Sequence, residues 1–214
     1  MSAPAIKICG INTPQALDAA IAARADYIGL VFFAKSPRNV TMAQAAALAE
    51  RAAGRTKVVG LFVDASTDFI AEAVVAAKLD AIQLHGAETP DALGRTRANL
   101  GVPVWKALSV ASRDDIVRAQ DFTGAADLIL FDAKAPKGAN LPGGLGLVFD
   151  WNLLAAYRGA LPWGLAGGLS PDNVADAVRR TGATLVDVSS GVETAPGVKD
   201  AGLIRSFCFA ARSA

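Results

Sequence analysis

The chain has 214 residues, 52% of them hydrophobic and 19% charged, enough to bury one good core with no obvious room for two. Its 21 basic and 20 acidic residues leave a formal net charge of +1, and no Lys/Arg run supplies the field that a nucleic-acid or membrane partner needs. Any anion site is therefore expected to be built locally. Two cysteines, Cys9 and Cys208, lie at opposite ends of the chain; they make no secreted framework, although a bond between them stays open on sequence alone. The start, MSAPAIKICG, lacks the basic region and long apolar core of an export signal. Apolar runs such as DYIGLVFFAKS meet charge within about ten residues, too soon to span a bilayer. A reduced, cytoplasmic protein is expected.

In chain order, short apolar runs alternate with Ala-rich stretches. The runs are AIKIC (5–9), YIGLVFF (27–33), KVVGLFV (57–63), AIQLH (81–85), VWKAL (104–108), DLILFD (127–132), PWGLAG (162–167) and TLVDVSS (184–190). Each is short and continuously apolar, the pattern of a parallel strand buried on both faces. Between them, Thr13-Pro14, Thr41, Ser66 and Ser170-Pro171 are helix starts, and Gly54 and Gly182 are stops. Eight strands repeating about every 25 residues, in strict βα alternation, predict a single (β/α)8 barrel over residues 1–214. The first βα turn, CGINTP, lacks the G-x-G-x-x-G fingerprint of a dinucleotide fold. The longest break, residues 135–150, is Gly-rich and follows a strand, which marks it as a functional loop.

In such barrels the active site lies at the C-terminal ends of the strands, so the reactive side chains there are the candidates. Gly167-Gly168 after the seventh strand and Ser189-Ser190-Gly191 after the eighth leave backbone N–H groups open and predict a phosphate cradle. Cys9 ends the first strand, with Lys7 two residues earlier on the same face; it reads either as a buried small hydrophobe or as a thiolate in a positive setting. Asp132 closes the apolar run LILF, where desolvation would suit a general acid; the alternative is a rim aspartate paired with Lys106 or Lys134. Asp187 is either a second site carboxylate or a loop cap. His85 is the sole histidine, placed for substrate contact rather than for a metal, because no other group has ligand spacing. Arg38, in KSPR after the second strand, is either a solvated surface arginine or a rim cation that could grip a planar carboxylate bidentately.

Taken together, KICG, KSPR, QLHG, PGG-G-FDW, GGL-P-NV and DVSSGVE, in this order and over nearly the whole chain, make the sequence similar to the phosphoribosylanthranilate isomerase family. The resemblance implies an Amadori rearrangement in tryptophan biosynthesis, with Cys9 as general base and Asp132 as general acid. It implies Arg38 on the anthranilate carboxylate, His85 and Asp187 on the substrate, and the phosphate on Gly167, Gly168 and the Ser189–Gly191 turn. A small phosphorylated substrate, no metal, no cofactor, and a monomer or homodimer are expected. One motif departs from the family pattern: Gly143-Gly144-Leu145-Gly146-Leu147 carries neither the hydroxyl nor the lysine usual in that loop.

Overall fold

The computed structural model describes residues 3–134, 143–144 and 146–214. Eight parallel strands close into a barrel in sequence order: β1 (Ala5–Cys9), β2 (Tyr27–Phe32), β3 (Lys57–Phe62), β4 (Ala81–Leu84), β5 (Val104–Val110), β6 (Leu128–Ala133), β7 (Trp163–Leu165) and β8 (Leu185–Val188). Closure is made by β1 and β8, where Lys7 stands opposite Asp187. Period-2 alternation sends one set of side chains inward, including Val59, Ala81, Trp105, Leu130 and Leu185, which form one cluster. The other set, including Ile6, Ile28, Phe62, Ile82 and Phe131, packs under the helices in a second and larger cluster.

The helices are α1 (Pro14–Ala22), α2 (Met42–Ala52), α3 (Thr67–Ala77), α4 (Pro90–Leu100), α5 (Arg113–Val117), α6 (Val174–Thr181) and α7 (Ala201–Arg212). Thr13, Thr41 and Ser66 cap the first three through their hydroxyls, each cap worth about 1 kcal/mol. Thr41 forms a reciprocal capping box with Gln44. At the end of α2 both the C-cap Ala53 and the expected stop Gly54 take left-handed backbone, φ +48° and +72°.

In the second half the connections between strands are shorter and less regular. The α5 helix is five residues long and tightens into a 3₁₀ segment at Arg118–Phe122. Between β6 and β7 the described residues hold only a 3₁₀ turn, Trp151–Ala156, capped by Asp150. Its two buried residues, Trp151 and Leu154, are three apart, a spacing that eclipses on a 3₁₀ turn and anchors it without a longer helix. Ser170-Pro171 opens a turn rather than a helix: the Asn173 side chain accepts from the Ser170 N–H at 2.8 Å, and α6 begins at Val174. After β8 the chain makes a 3₁₀ turn, Ser190–Val192, then an antiparallel pair, β9 (Glu193–Ala195) with β10 (Val198–Lys199). No helix among the described residues is long and apolar enough to cross a membrane.

Candidate active site

A cavity opens at the C-terminal mouth of the barrel. Its walls carry Cys9, Arg38, His85, Asp132, Gly167, Gly168, Asp187, Ser189 and Ser190, so residues spread over almost the whole chain converge on one space. Gly191 stands behind the wall, where a Cβ would collide with the Leu169 carbonyl and so lock the β7 and β8 loops together. The Gly-rich 135–142 segment and Leu145 lie outside the described residues; Gly143 and Gly144 line the cavity.

At the floor, β1 places Lys7 and Cys9 inward, with Lys7 fully buried and Cys9 95% buried because only 5% of it is exposed. The Lys7 ammonium meets Asp187 Oδ2 at 2.9 Å. Burial pulls this amine down, but Asp187 and Cys9 outweigh it and hold the ammonium form. Burial pushes the Cys9 thiol up; Lys7 and Lys199 pull against it, and Asp187 reinforces it. Space for this group comes from Gly29 on β2, where a Cβ would sit 2.8 Å from Cys9 Sγ and 3.1 Å from Lys7 Nζ. Both cysteines are free and buried. Cys208 lies on α7, its thiol pushed up to about 11 by burial.

Across the mouth, the Asp132 carboxylate accepts from its neighbour's N–H, at Ala133, at 2.8 Å. Its other oxygen lies 3.2 Å from His85 Nε2. The pairings with Lys106 or Lys134 considered from sequence are not formed. Lys106 is on the outer face of β5 and pairs with Glu88 at 2.7 Å, and Lys134 faces Asp115 at 3.9 Å. Two buried polar atoms on the wall, Gln83 Oε1 and Asp187 Oδ1, have no hydrogen-bond partner among the described residues. Buried polar atoms are rarely left unpaired, so two around one cavity mark it as built for a polar ligand. Gln83 was visible on the fourth strand in sequence but carried no role there.

At one side Gly167 and Gly168 both take left-handed backbone, φ +84° and +62°, which a side chain would strain. Their N–H groups meet no acceptor among the described residues, and Asn173 braces the turn by donating to the Gly168 carbonyl at 2.9 Å. The glycines also allow close packing: a Cβ at Gly167 would strike Ala133 and Asp132, and one at Gly168 would lie 2.5 Å from the Leu147 carbonyl.

At the other side Arg38 is 5% exposed. Its guanidinium donates to Glu193 through Nε at 3.0 Å and Nη2 at 2.7 Å, and Nη2 also reaches the Gly144 carbonyl at 3.3 Å. The Nε/Nη2 edge of the guanidinium is thus filled by a protein carboxylate. Glu193 also receives Lys199 at 2.7 Å, and Lys199 donates to the Ser189 carbonyl at 3.0 Å. Sequence reasoning missed Glu193 and Lys199 as site residues. Their signal was a Glu and a Lys flanking the Pro196-Gly197 turn, which folds them into one hairpin. Among the described residues no group of three or more His, Cys, Asp or Glu is arranged to hold a metal ion.

Fold and site together define the class, a (β/α)8 barrel with a polar-lined cavity at the C-terminal ends of its strands. Comparison with known proteins narrows this. A family model described as N-(5'phosphoribosyl)anthranilate (PRA) isomerase matches residues 6–210. The N-(5'-phosphoribosyl)anthranilate isomerase of Paramagnetospirillum magneticum is 53% identical over 207 residues, covering 97% of this chain and 96% of the relative. That of Rhodospirillum centenum is 54% identical over 203 residues, 94% of this chain and 95% of the relative. The crystal structure of phosphoribosyl anthranilate isomerase from Thermotoga maritima superposes with a TM-score of 0.87 at 31% identity, over 99% of this chain and 100% of that one. Another such structure, in complex with reduced 1-(o-carboxyphenylamino)-1-deoxyribulose 5-phosphate, gives a TM-score of 0.84 at 30% identity, over 99% of this chain and 100% of that one. The chain belongs to the phosphoribosylanthranilate isomerase family. It is an isomerase of tryptophan biosynthesis.

Proposed function

We propose that the chain, acting as one domain over residues 1–214, converts N-(5-phosphoribosyl)anthranilate to 1-(2-carboxyphenylamino)-1-deoxyribulose 5-phosphate by acid–base catalysis. Asp132 protonates the furanose ring oxygen; the C1′–O bond breaks as the nitrogen lone pair forms a Schiff base. The Cys9 thiolate then takes the C2′ proton, giving an enolamine that tautomerises to the ketone. The proton lost by Asp132 and the one gained by Cys9 balance over the cycle, so no electron acceptor or cofactor is needed. Gly167, Gly168 and the Ser189–Gly191 turn hold the phosphate, Arg38 meets the anthranilate carboxylate, and His85 and Asp187 contact the sugar. Fixing both ends of the substrate supplies much of the rate through positioning. The reading is of a cytoplasmic enzyme, monomeric or homodimeric, with a small phosphorylated substrate.

The observation that carries this reading is that a thiol backed by an ammonium and a carboxyl backed by a histidine face one cavity from β1 and β6. Turnover is followed as the fall in anthranilate-substrate fluorescence. Asp132→Asn and Cys9→Ser are each expected to lower kcat by at least about a hundredfold with the fold intact, the scale of a lost acid or base. Cys208→Ser, on α7, is expected to keep wild-type rates. Near wild-type turnover in Cys9→Ser removes the base from the mechanism; in Asp132→Asn it removes the acid.

A further inference from the structure

Arg38 reaches the cavity already engaged. Its Nε and Nη2 face the two oxygens of Glu193, which leaves Nη1, at the far side of the guanidinium, with no protein acceptor among the described residues. Glu193 is held in turn. Lys199 donates to it, the Gly197 N–H donates to it at 3.3 Å, and the side chains of Glu193 and Lys199 are 3% and 0% exposed. The hairpin carrying both residues is pinned over the Arg38 loop: the Asn12 side chain donates to the Gly197 carbonyl at 3.1 Å, and a Cβ at Gly197 would lie 2.5 Å from the Pro37 carbonyl. A fork–fork pair of this kind fixes the plane of a guanidinium as well as its position.

We propose that Glu193 is the positioning residue of Arg38: held by Lys199 and its hairpin, it fills one edge of the guanidinium and turns the open Nη1 side to the ligand. This rests on the reading that Arg38 meets the carboxylate of the substrate. Selectivity for a carboxylate-bearing aryl group is then set partly by a residue that never touches the ligand. It also follows that the ligand carboxylate is met end-on at Nη1, not through the Nε edge.

The test uses two competitive ligands, a reduced product analogue with the ring carboxylate and the same compound with an unsubstituted phenyl ring. Glu193→Gln removes the charge, and the double variant Glu193→Gln/Lys199→Met removes one charge of each sign, so the buried net charge stays as it was. In both, inhibition by the carboxylate ligand is expected to weaken at least tenfold, and inhibition by the phenyl ligand less than threefold. Equal weakening of the two ligands would mean that Glu193 only supports the fold, and no weakening would mean that Arg38 needs no anchor; either overturns the proposal. Arg38→Met is measured beside them. If it fails to separate the two ligands, the carboxylate assignment itself is wrong; if it separates them and the Glu193 variants do not, the positioning role alone falls.

Discussion

At the scale of single residues, the question is how a cysteine buried to 5% exposure could serve as a base. Burial alone favours the neutral thiol, and it is the largest influence on Cys9. The groups facing it are Lys7 on its own strand, Asp187 from β8, Lys199 from β10 and Arg38 from the loop after β2. Three are cations, so removing one moves the thiol further up. Because the base works deprotonated, kcat/KM rises with pH through the Cys9 ionisation, and a higher pKa moves that limb to higher pH. Lys7→Met is expected to shift the limb alkaline by at least about one pH unit, the differential energy of one close opposite charge. The pH dependence of iodoacetamide inactivation of Cys9 reads the same ionisation without turnover. A limb that stays in place, or moves to acid, would show that Lys7 serves the barrel and not the thiol. Lys7, two positions before Cys9, was legible in the sequence; Gly29, which makes room for both, was not, because its reason is a neighbour on another strand.

At the scale of elements, legibility followed the range of the contacts involved. The starts of α1, α2 and α3 were readable because a capping hydroxyl bonds within three residues of itself. The Trp151–Ala156 turn was not, because what anchors it is the burial of Trp151 and Leu154 in the core around the barrel. The Arg38–Glu193 pair joins residues 155 apart, beyond any periodicity. Hence cavity-wall residues such as Asp132 and His85 could be found from their strand ends, while the contact between them could not. The hairpin carries its own prediction. Burial tends to raise the Glu193 carboxyl, but Arg38 and Lys199 outweigh it and hold it below the usual range. A carboxylate with a depressed folded pKa stabilises above its unfolded value, and that stability is lost as pH falls through the folded one. The Tm gap between wild type and Glu193→Gln is therefore expected to be widest near neutrality and to close on acidification below about pH 4. A gap that is constant with pH would assign the loss to packing.

At the scale of the whole molecule, the two ends of the barrel divide the work. The charged and polar groups of the cavity sit at the C-terminal end. At the N-terminal end a different pattern repeats: Asp26, Asp80 and Asp127 each stand immediately before an even-numbered strand, β2, β4 or β6. Each accepts from an N–H at the start of the preceding odd strand, Ile6 at 2.8 Å, Val58 at 2.7 Å and Val104 at 2.8 Å. Each also donates its own N–H to that residue's carbonyl. Before β8 the place is taken by Thr184, whose hydroxyl donates to the Trp163 carbonyl instead. The fold is therefore stitched in pairs of strands, and these aspartates close the ladder where the strands begin. Ile6 and Val104 are fully buried and Val58 is 4% exposed, so water is a poor substitute for the lost acceptor. Asp80 is the cleanest probe, because Asp127 also pairs with Arg97. Asp80→Ala is expected to cost about 1–3 kcal/mol of stability in urea unfolding, the penalty for stranding a buried N–H. Asp80→Asn, which keeps an acceptor, should cost less, and both should leave kcat and KM unchanged. An Ala variant as stable as wild type would mean the bond adds nothing to the barrel. A changed KM would mean that the stitched end and the catalytic end are coupled through the strands.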